Sequence, residues 1–517
     1  MGNPAKVIDI TNNLSDVENF DSDFKDVESK IKERHSNELI IALCGTVGSG
    51  VRKLKESLIE QFENFNYKVK HIRISDLIAE QNESPQKIKN LSGYSRYEKL
   101  QDLGDELREK NTNNICAQLA IRRINIWRHR TYGTELKENE SPKHTKTLDK
   151  VVYIIDQLKN PAEVGLFRTV YKNNFYLIGL LRNVNERERN LRADGLDDSE
   201  IKLLINRDRK NKASYGQQVE DTLQLSDYFI RNIEQLSEIN KSVNRFISLI
   251  HGVDHITPTK DEIGMFTAYN SSLRSACLSR QVGACIVDDE GNVLSTGCND
   301  VPKFKGGLYN AESVSDNRCH NVGRCSNDLH KSMLRKQIID ILQDESIDDA
   351  ENLASKIMNN TKAKYIIEYS RAIHAEMDAI MSLARNTSVG TVDKIMYCTT
   401  YPCHNCARHI VAAGIKKVVY IEPYEKSLAR DLHDDAICHT DDMSESKVLF
   451  ANFEGVSPNR YSSFFKYHSA RKDKDGRVLN QKVITAKQVD PTGLDSYFDY
   501  EAKTVQDVNL RLGEERS

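Results

Sequence analysis

Tryptophan is nearly missing from this chain: there is one in 517 residues, alongside only 10 prolines. A protein that grips single-stranded nucleic acid wants aromatic platforms along a basic groove. One Trp, and 73 basic residues balanced by 76 acidic ones for a formal charge of -3, argue against that class. Long apolar runs are absent as well. No stretch approaches the roughly 18 apolar residues that a membrane-spanning helix needs, and no charged-then-apolar leader pattern opens the sequence. Met1-Gly2 begins a myristoylation pattern that fails at Lys6, where Ser or Thr is required. We therefore expect no membrane contact and a cytoplasmic location. The 11 cysteines are unevenly spaced, which favours free thiols and metal ligands over a disulfide framework.

What is present is enough apolar sequence, 39%, for at least two packed cores. Residues 1–37 are polar and acid-rich and are expected to be a flexible lead-in. Residues 38–255 alternate strands and helices, the pattern of a parallel sheet with crossover connections. Leu39 to Cys44 is a buried-strand run feeding into Gly45, Gly48 and Gly50, with an amphipathic helix near Lys53 to Phe62. Further strands are expected at Lys68 to Ile74, Val151 to Ile155 and Phe175 to Leu181, and a helix at Asn113 to Arg128. A boundary falls near His251 to Pro258. Thr259 and Glu262 then form a capping box that starts a new helix. A hairpin at Gly283 to Val287 and Val293 to Thr296, with strands at Lys394 to Cys398 and Lys417 to Ile421, makes residues 256–469 a second α/β unit. Residues 470–517 are charged and expected to be a peripheral extension with some oligomer contacts.

Chemistry concentrates in Ile373-His374-Ala375-Glu376 and Tyr401-Pro402-Cys403-His404-Asn405-Cys406. A hydrolytic zinc site needs three protein ligands and an open position for water, and His374 with the CxxC pair Cys403 and Cys406 supplies three. Pro402 in front of Cys403 would open a helix whose dipole favours the thiolates. Glu376 is placed to move protons without ligating the metal. H-x-E followed by P-C-x-x-C is the general signature of zinc deaminases. A structural zinc knuckle is the plainer alternative, but such sites normally take four protein ligands.

At these residues the second half resembles the cytidine and deoxycytidylate deaminase superfamily, most closely the deoxycytidylate deaminases. The resemblance spans about 259 to 468, through Ser279-Arg280-Gln281-Val282-Gly283-Ala284, Gly297-Cys298-Asn299, His374-Ala375-Glu376 and Thr399-Thr400-Tyr401-Pro402-Cys403. It implies a cytidine-deaminase-like α/β/α fold, with Asn299 on sugar or phosphate, Thr400 and Tyr401 lining the base pocket and Arg280 meeting phosphate. Asp378 stands where that family is expected to carry Asn. Between Asn299 and His374 an insert carries Cys319, His320, Cys325 and His330. These are either a second, structural zinc site or free side chains on a surface loop and amphipathic helix.

In the first half, Gly45, Gly48, Ser49 and Gly50 fit the start of a phosphate-binding GxxxxGK[ST] loop. Val51 then replaces the lysine and Arg52 the magnesium-binding hydroxyl. Asp156, ending a buried strand, is a candidate acidic partner for a metal, and Arg182 to Arg192, Arg207-Asp208-Arg209 and Asp227-Tyr228-Phe229-Ile230 resemble the lid and later elements of nucleoside monophosphate kinases. A P-loop kinase-like domain results, serving either to bind a regulatory nucleotide or as a retained scaffold for assembly and control. The two-domain arrangement resembles the bacterial anti-phage deoxycytidine nucleotide deaminases. That resemblance implies conversion of dCTP and dCMP to dUTP and dUMP, restraint by a small RNA or protein partner, and a homo-oligomer. The rival expectations are a deaminase of tRNA or single-stranded DNA, and a non-catalytic P-loop signalling or defence module.

Overall fold

Aliphatic runs buried on both faces belong to strands covered by helices on both sides, and every residue of β1 (Glu38–Gly45) is buried. A computed structural model describes residues 35–82, 84–132, 150–209, 213–231, 235–253, 255–386, 388–421, 428–439, 446–466, 470–479, 486–493 and 497–512. Around β1 stand β2 (Lys68–Arg73), β3 (Val151–Asp156), β4 (Phe175–Leu181) and β5 (Tyr228–Arg231), all parallel, in the order β5-β4-β1-β3-β2. Alternate residues serve opposite faces. Leu39, Ile41 and Leu43 pack with the helices Val51–Asn64 and Leu236–His251. Ile40 and Ala42 pack with the helices Ile115–Tyr132 and Pro161–Tyr171.

The second sheet holds β6 (Gly283–Val287), β7 (Val293–Cys298), β8 (Ile395–Cys398), β9 (Lys417–Tyr420), β10 (Ile437–Cys438) and β11 (Val448–Asn452), in the order β10-β11-β9-β8-β6-β7. β6 runs antiparallel to β7 and β8, and the rest are parallel. One face takes the helices Ala375–Asn386 and His404–Ala412, and the other takes Lys260–Ser272. The expected capping box forms, and Glu262 does more than cap. Its Oε2 accepts from Thr259 N (2.7 Å) and pairs with Arg245 (2.6 Å), while Oε1 accepts from Val456 N (2.9 Å).

Val456 belongs to β12 (Gly455–Val456), which leaves the second unit and pairs antiparallel with β5 as the sixth strand of the first sheet. The segment expected to be peripheral follows it there. Tyr497, the N-cap of the helix Phe498–Arg511, and Val508 within it are fully buried, and Arg128 lies between Glu38 (3.0 Å) and Glu501 (3.1 Å). The charged composition hid this contact because its charges are used inside: a buried arginine is tolerable only when its partners come with it. The insert's helix Ser326–Asp344 has no buried residue; Arg335 ties it to Ser355 of the helix Ala350–Asn360 (3.0 Å).

Candidate active site

The helix Ala375–Asn386 starts directly after His374 and lies on β7. It can approach because Gly297 has no side chain: a methyl there would fall on the Ala375 carbonyl and the Ala379 amide. Two further ties hold it. Ser295 Oγ donates to Ala379 O (2.9 Å), and the Asp378 carboxylate accepts from Cys298 N (3.1 Å), so the Asp in place of the expected Asn keeps an acceptor at that spot. Burial raises the Asp378 carboxyl above its usual range. The second helix begins at His404, with Cys403 as its N-cap; Cys406 N donates to Cys403 Sγ (3.4 Å).

These two helix starts bring His374, Cys403 and Cys406 together. Each sulfur lies 3.3 Å from His374 Nδ1, and the three ligand atoms all fall within 4.8 Å of one another. A hydrogen bond from Cys406 and the adjacent imidazole hold the Cys403 thiol far below its usual value, and Cys406 is pushed up as its donor. The bond to Cys403 in turn raises His374 to about 9. One imidazole and two sulfurs within this distance of one another fit the donor set that zinc prefers. Glu376 is 3% exposed; burial first, and the Cys403 charge second, push its carboxyl upward. A buried carboxyl raised in this way suits an acid–base role near neutral pH.

Over this group opens a cleft of about 300 Å3 that includes Arg280, Asn299, Thr400 and Tyr401 in its wall. Asn299 spends its amide on the backbone: Oδ1 accepts from Val282 N (2.6 Å) and Nδ2 donates to Arg280 O (2.8 Å). It therefore fixes the loop carrying Arg280. Tyr401 is braced from behind, its hydroxyl 3.1 Å from His439 Nε2 and its ring edge-on to Tyr420. The insert forms the facing wall with Cys319, Cys325 and Arg371, anchored where Arg318 meets Asp300 (3.5 Å) and Asp316 (2.7 Å). Sequence reasoning missed Arg371. Its place three residues before His374 was the available signal.

The four insert residues considered for a second zinc are not gathered. Among the described residues, His374, Cys403 and Cys406 are the one His/Cys/Asp/Glu group within ligand range. Cys319 and Cys325 line the cleft, His320 lies 3.9 Å from Asp316, and the His330 ring packs on Tyr369. The crowding was along the chain, and a short helix, Cys319–Val322, with a turn after it spreads it in space.

Gly45, Gly48, Ser49 and Gly50 do form a loop between β1 and its helix, with Gly48 and Gly50 at φ of 80° and 83°. The hollow such a loop would offer a phosphate is occupied by the chain itself. Val47 N donates to the Asp208 carboxylate (2.7 Å), whose other oxygen takes Lys159 Nζ (2.6 Å). Arg187, fully buried, gives its Nε to Val47 O (3.0 Å), and Asn190 caps Gly48 O (2.9 Å). Asp156 is turned aside to His71 (3.4 Å).

The family described as the cytidine and deoxycytidylate deaminase zinc-binding region matches residues 258–422. A deoxycytidylate deaminase of Enterobacteria phage T2 is 32% identical over 164 residues, covering 31% of this chain and 78% of that one. A deoxycytidylate deaminase of Homo sapiens is 26% identical over 200 residues, covering 39% and 78%. The crystal structure of dCMP deaminase from cyanophage S-TIM5 in apo form aligns at 20% identity and a TM-score of 0.22, over 38% of this chain and 99% of that one.

Proposed function

Because the chain belongs to the cytidine and deoxycytidylate deaminase family, we propose that it is a hydrolytic deaminase of free deoxycytidine nucleotides, converting dCMP, and dCTP as a second substrate, to dUMP and dUTP. The observation that carries this reading is the meeting of His374, Cys403 and Cys406 beside buried Glu376 at the floor of an open cleft. His374, Cys403 and Cys406 would hold zinc, which when bound supplies Lewis acidity that makes water a nucleophile near neutral pH. Glu376 takes a proton from the attacking water as it adds to the ring carbon bearing the amino group. The same carboxyl delivers that proton to the adjacent ring nitrogen, then relays the next one to the amino group, which leaves as ammonia. Tyr401, held by His439 and Tyr420, walls the base. Arg280, on the loop that Asn299 fixes, meets the phosphate, and Arg371 stands across the cleft from the same chemistry.

The two-domain resemblance extends this reading to defence against phage by nucleotide depletion, in a homo-oligomer restrained by a small RNA or protein partner and tuned by a nucleotide bound in the first half. A cell whose dCTP is drained cannot supply phage replication.

Assaying the purified chain on dCMP, dCTP, CMP, CTP and single-stranded DNA, beside Glu376→Ala, tests the core claim. Release of ammonia from the free deoxynucleotides, lost in the variant, supports it. Turnover confined to the polymer, or tightly held zinc without turnover on any substrate, would replace it with the editing or the binding-module reading.

A further inference from the structure

A buried carboxylate has to collect donors from whatever packs around it. Asp300, 2% exposed and two residues past β7, collects them from its own chain, from the loop before β6 and from the insert. Its Oδ1 accepts from Val301 N (2.8 Å) and its Oδ2 from Ala276 N (2.9 Å). Arg318 Nη1, on the insert, lies 3.5 Å from the same Oδ2. The Asp300 carbonyl accepts from Ile373 N (3.0 Å), the residue before His374.

These contacts reach opposite walls of the cleft. Ala276 opens the loop that runs to Val282 and carries Arg280. Asn299 holds the far end of that loop at Arg280 O and Val282 N (2.8 and 2.6 Å), and Asp300 holds its start. On the other side Arg318, 8% exposed, grips Asp316 with Nε and Nη2 (3.0 and 2.7 Å). The carbonyl of Asn317, between those two residues, accepts from Arg371 Nη1 (3.0 Å). One carboxylate thus ties the wall bearing Arg280 to the wall bearing Arg371. The floor is held another way: Ile373, next to His374, is fixed by the Asp300 backbone, which replacement of the side chain leaves in place.

Two guanidinium groups grip one anion well only when their spacing fits it. We propose that Asp300 is a positioning residue: with Arg318 it sets the separation of Arg280 and Arg371, and through them the hold of the cleft on the nucleotide's phosphate. The claim rests on the deaminase reading and adds to it a residue that works on binding. Its carboxylate is spent on Val301, Ala276 and Arg318, whereas the groups of the chemistry stand on two helix starts.

Steady-state kinetics on dCMP test it in the parent chain, Asp300→Asn and Arg318→Gln. Asparagine keeps the shape and loses the charge; glutamine leaves the carboxylate without its cation. Each should raise KM about tenfold while kcat stays within about twofold, the pattern of lost binding. The double variant should match the singles, because either change cuts the same link. A fall in kcat with KM unchanged, as a loss of folded enzyme would give, overturns the proposal, and so do effects that multiply in the double variant. Arg371 is exposed, so Arg371→Gln keeps the test decisive should Asp300→Asn unfold. In that background Arg318→Gln should add nothing, and a further full rise in KM overturns the claim. Calorimetric titration of dCMP into Glu376→Ala reads the link without turnover: affinity should fall about tenfold when Asp300→Asn or Arg318→Gln is added. A parent chain that binds dCMP without deaminating it strikes the deaminase reading alone. Binding unaffected by Asp300→Asn strikes the positioning role alone, and no binding of dCMP strikes both.

Discussion

Two places in this molecule carry a motif with a chemical meaning, and they differ in what occupies the space in front of it. Before His374, Cys403 and Cys406 there is a cleft, and the side chains that approach it are braced from behind: Asn299 by backbone, Tyr401 by His439. Before the glycine loop there is protein, with Asp208 and Arg187 in the hollow and Lys159 closing the ion pair. A catalytic motif requires donors and acceptors whose partners are still to come. The first place meets that condition. At the second, a carboxylate from 161 residues away has taken the role of the anion.

The largest expected effect lies on the open side of that contrast. Glu376→Ala should lower kcat by about 10²- to 10⁴-fold, the range of general acid–base catalysis, while zinc content by elemental analysis stays unchanged. Loss of metal along with activity would make Glu376 a ligand and erase its distinction from the other three. On the filled side, Asp208→Ala leaves Lys159 and the Val47 amide without their anion, and breaking a buried pair costs about 3–5 kcal/mol. Millimolar inorganic phosphate should recover part of the lost thermal stability in this variant and do nothing for the parent chain. Phosphate that stabilises both equally would mean that Asp208 does not stand in for an anion.

A third test separates the halves by pH. His251 closes a helix of the first half fully buried, receiving the Tyr67 hydroxyl at Nε2 (2.8 Å) and donating from Nδ1 to Ile247 O (2.7 Å). Burial lowers it from its ordinary 6.5 to about 4. The unfolded chain then binds more protons than the folded one between those values, so stability falls as pH drops from 6.5 towards 4. The loss is on the order of 3 kcal/mol. Chemical denaturation of the parent and of His251→Gln across that range should show the slope in the first and a shallower one in the second. The smallest effect belongs to Gly297→Ala, whose methyl meets the backbone of the active-site helix. Overpacking of this kind costs about 1–3 kcal/mol, and here it should lower kcat more than it lowers the melting temperature of the first half.

The sequence made the open site legible and the filled one illegible for the same reason. His374, Glu376, Cys403 and Cys406 sit in two short runs, and helix starts at both runs suffice to bring them together. The strands β1, β3, β4 and β6 were equally plain, because burial on both faces leaves an unbroken apolar run. Asp208 and Arg187 reach Val47 across 161 and 140 residues, and no spacing or periodicity records such a pairing. β12 escaped notice because a two-residue strand has no pattern. The cysteines and histidines of the insert misled in the opposite direction, being neighbours in order and not in space.

β12 has a consequence for how the halves move. Since the chain enters the deaminase region from the helix Leu236–His251 and comes back from it to pair with β5, that region is a guest loop of very large size, stitched at entry to that helix and at exit to β5. The Glu262 carboxylate fastens both stitches, holding Arg245 on one side and the returning Val456 on the other. A body secured at two points cannot swing freely as one on a single hinge can. A shift of that helix relative to β5 would therefore move one attachment against the other and be felt as a torque on the deaminase region.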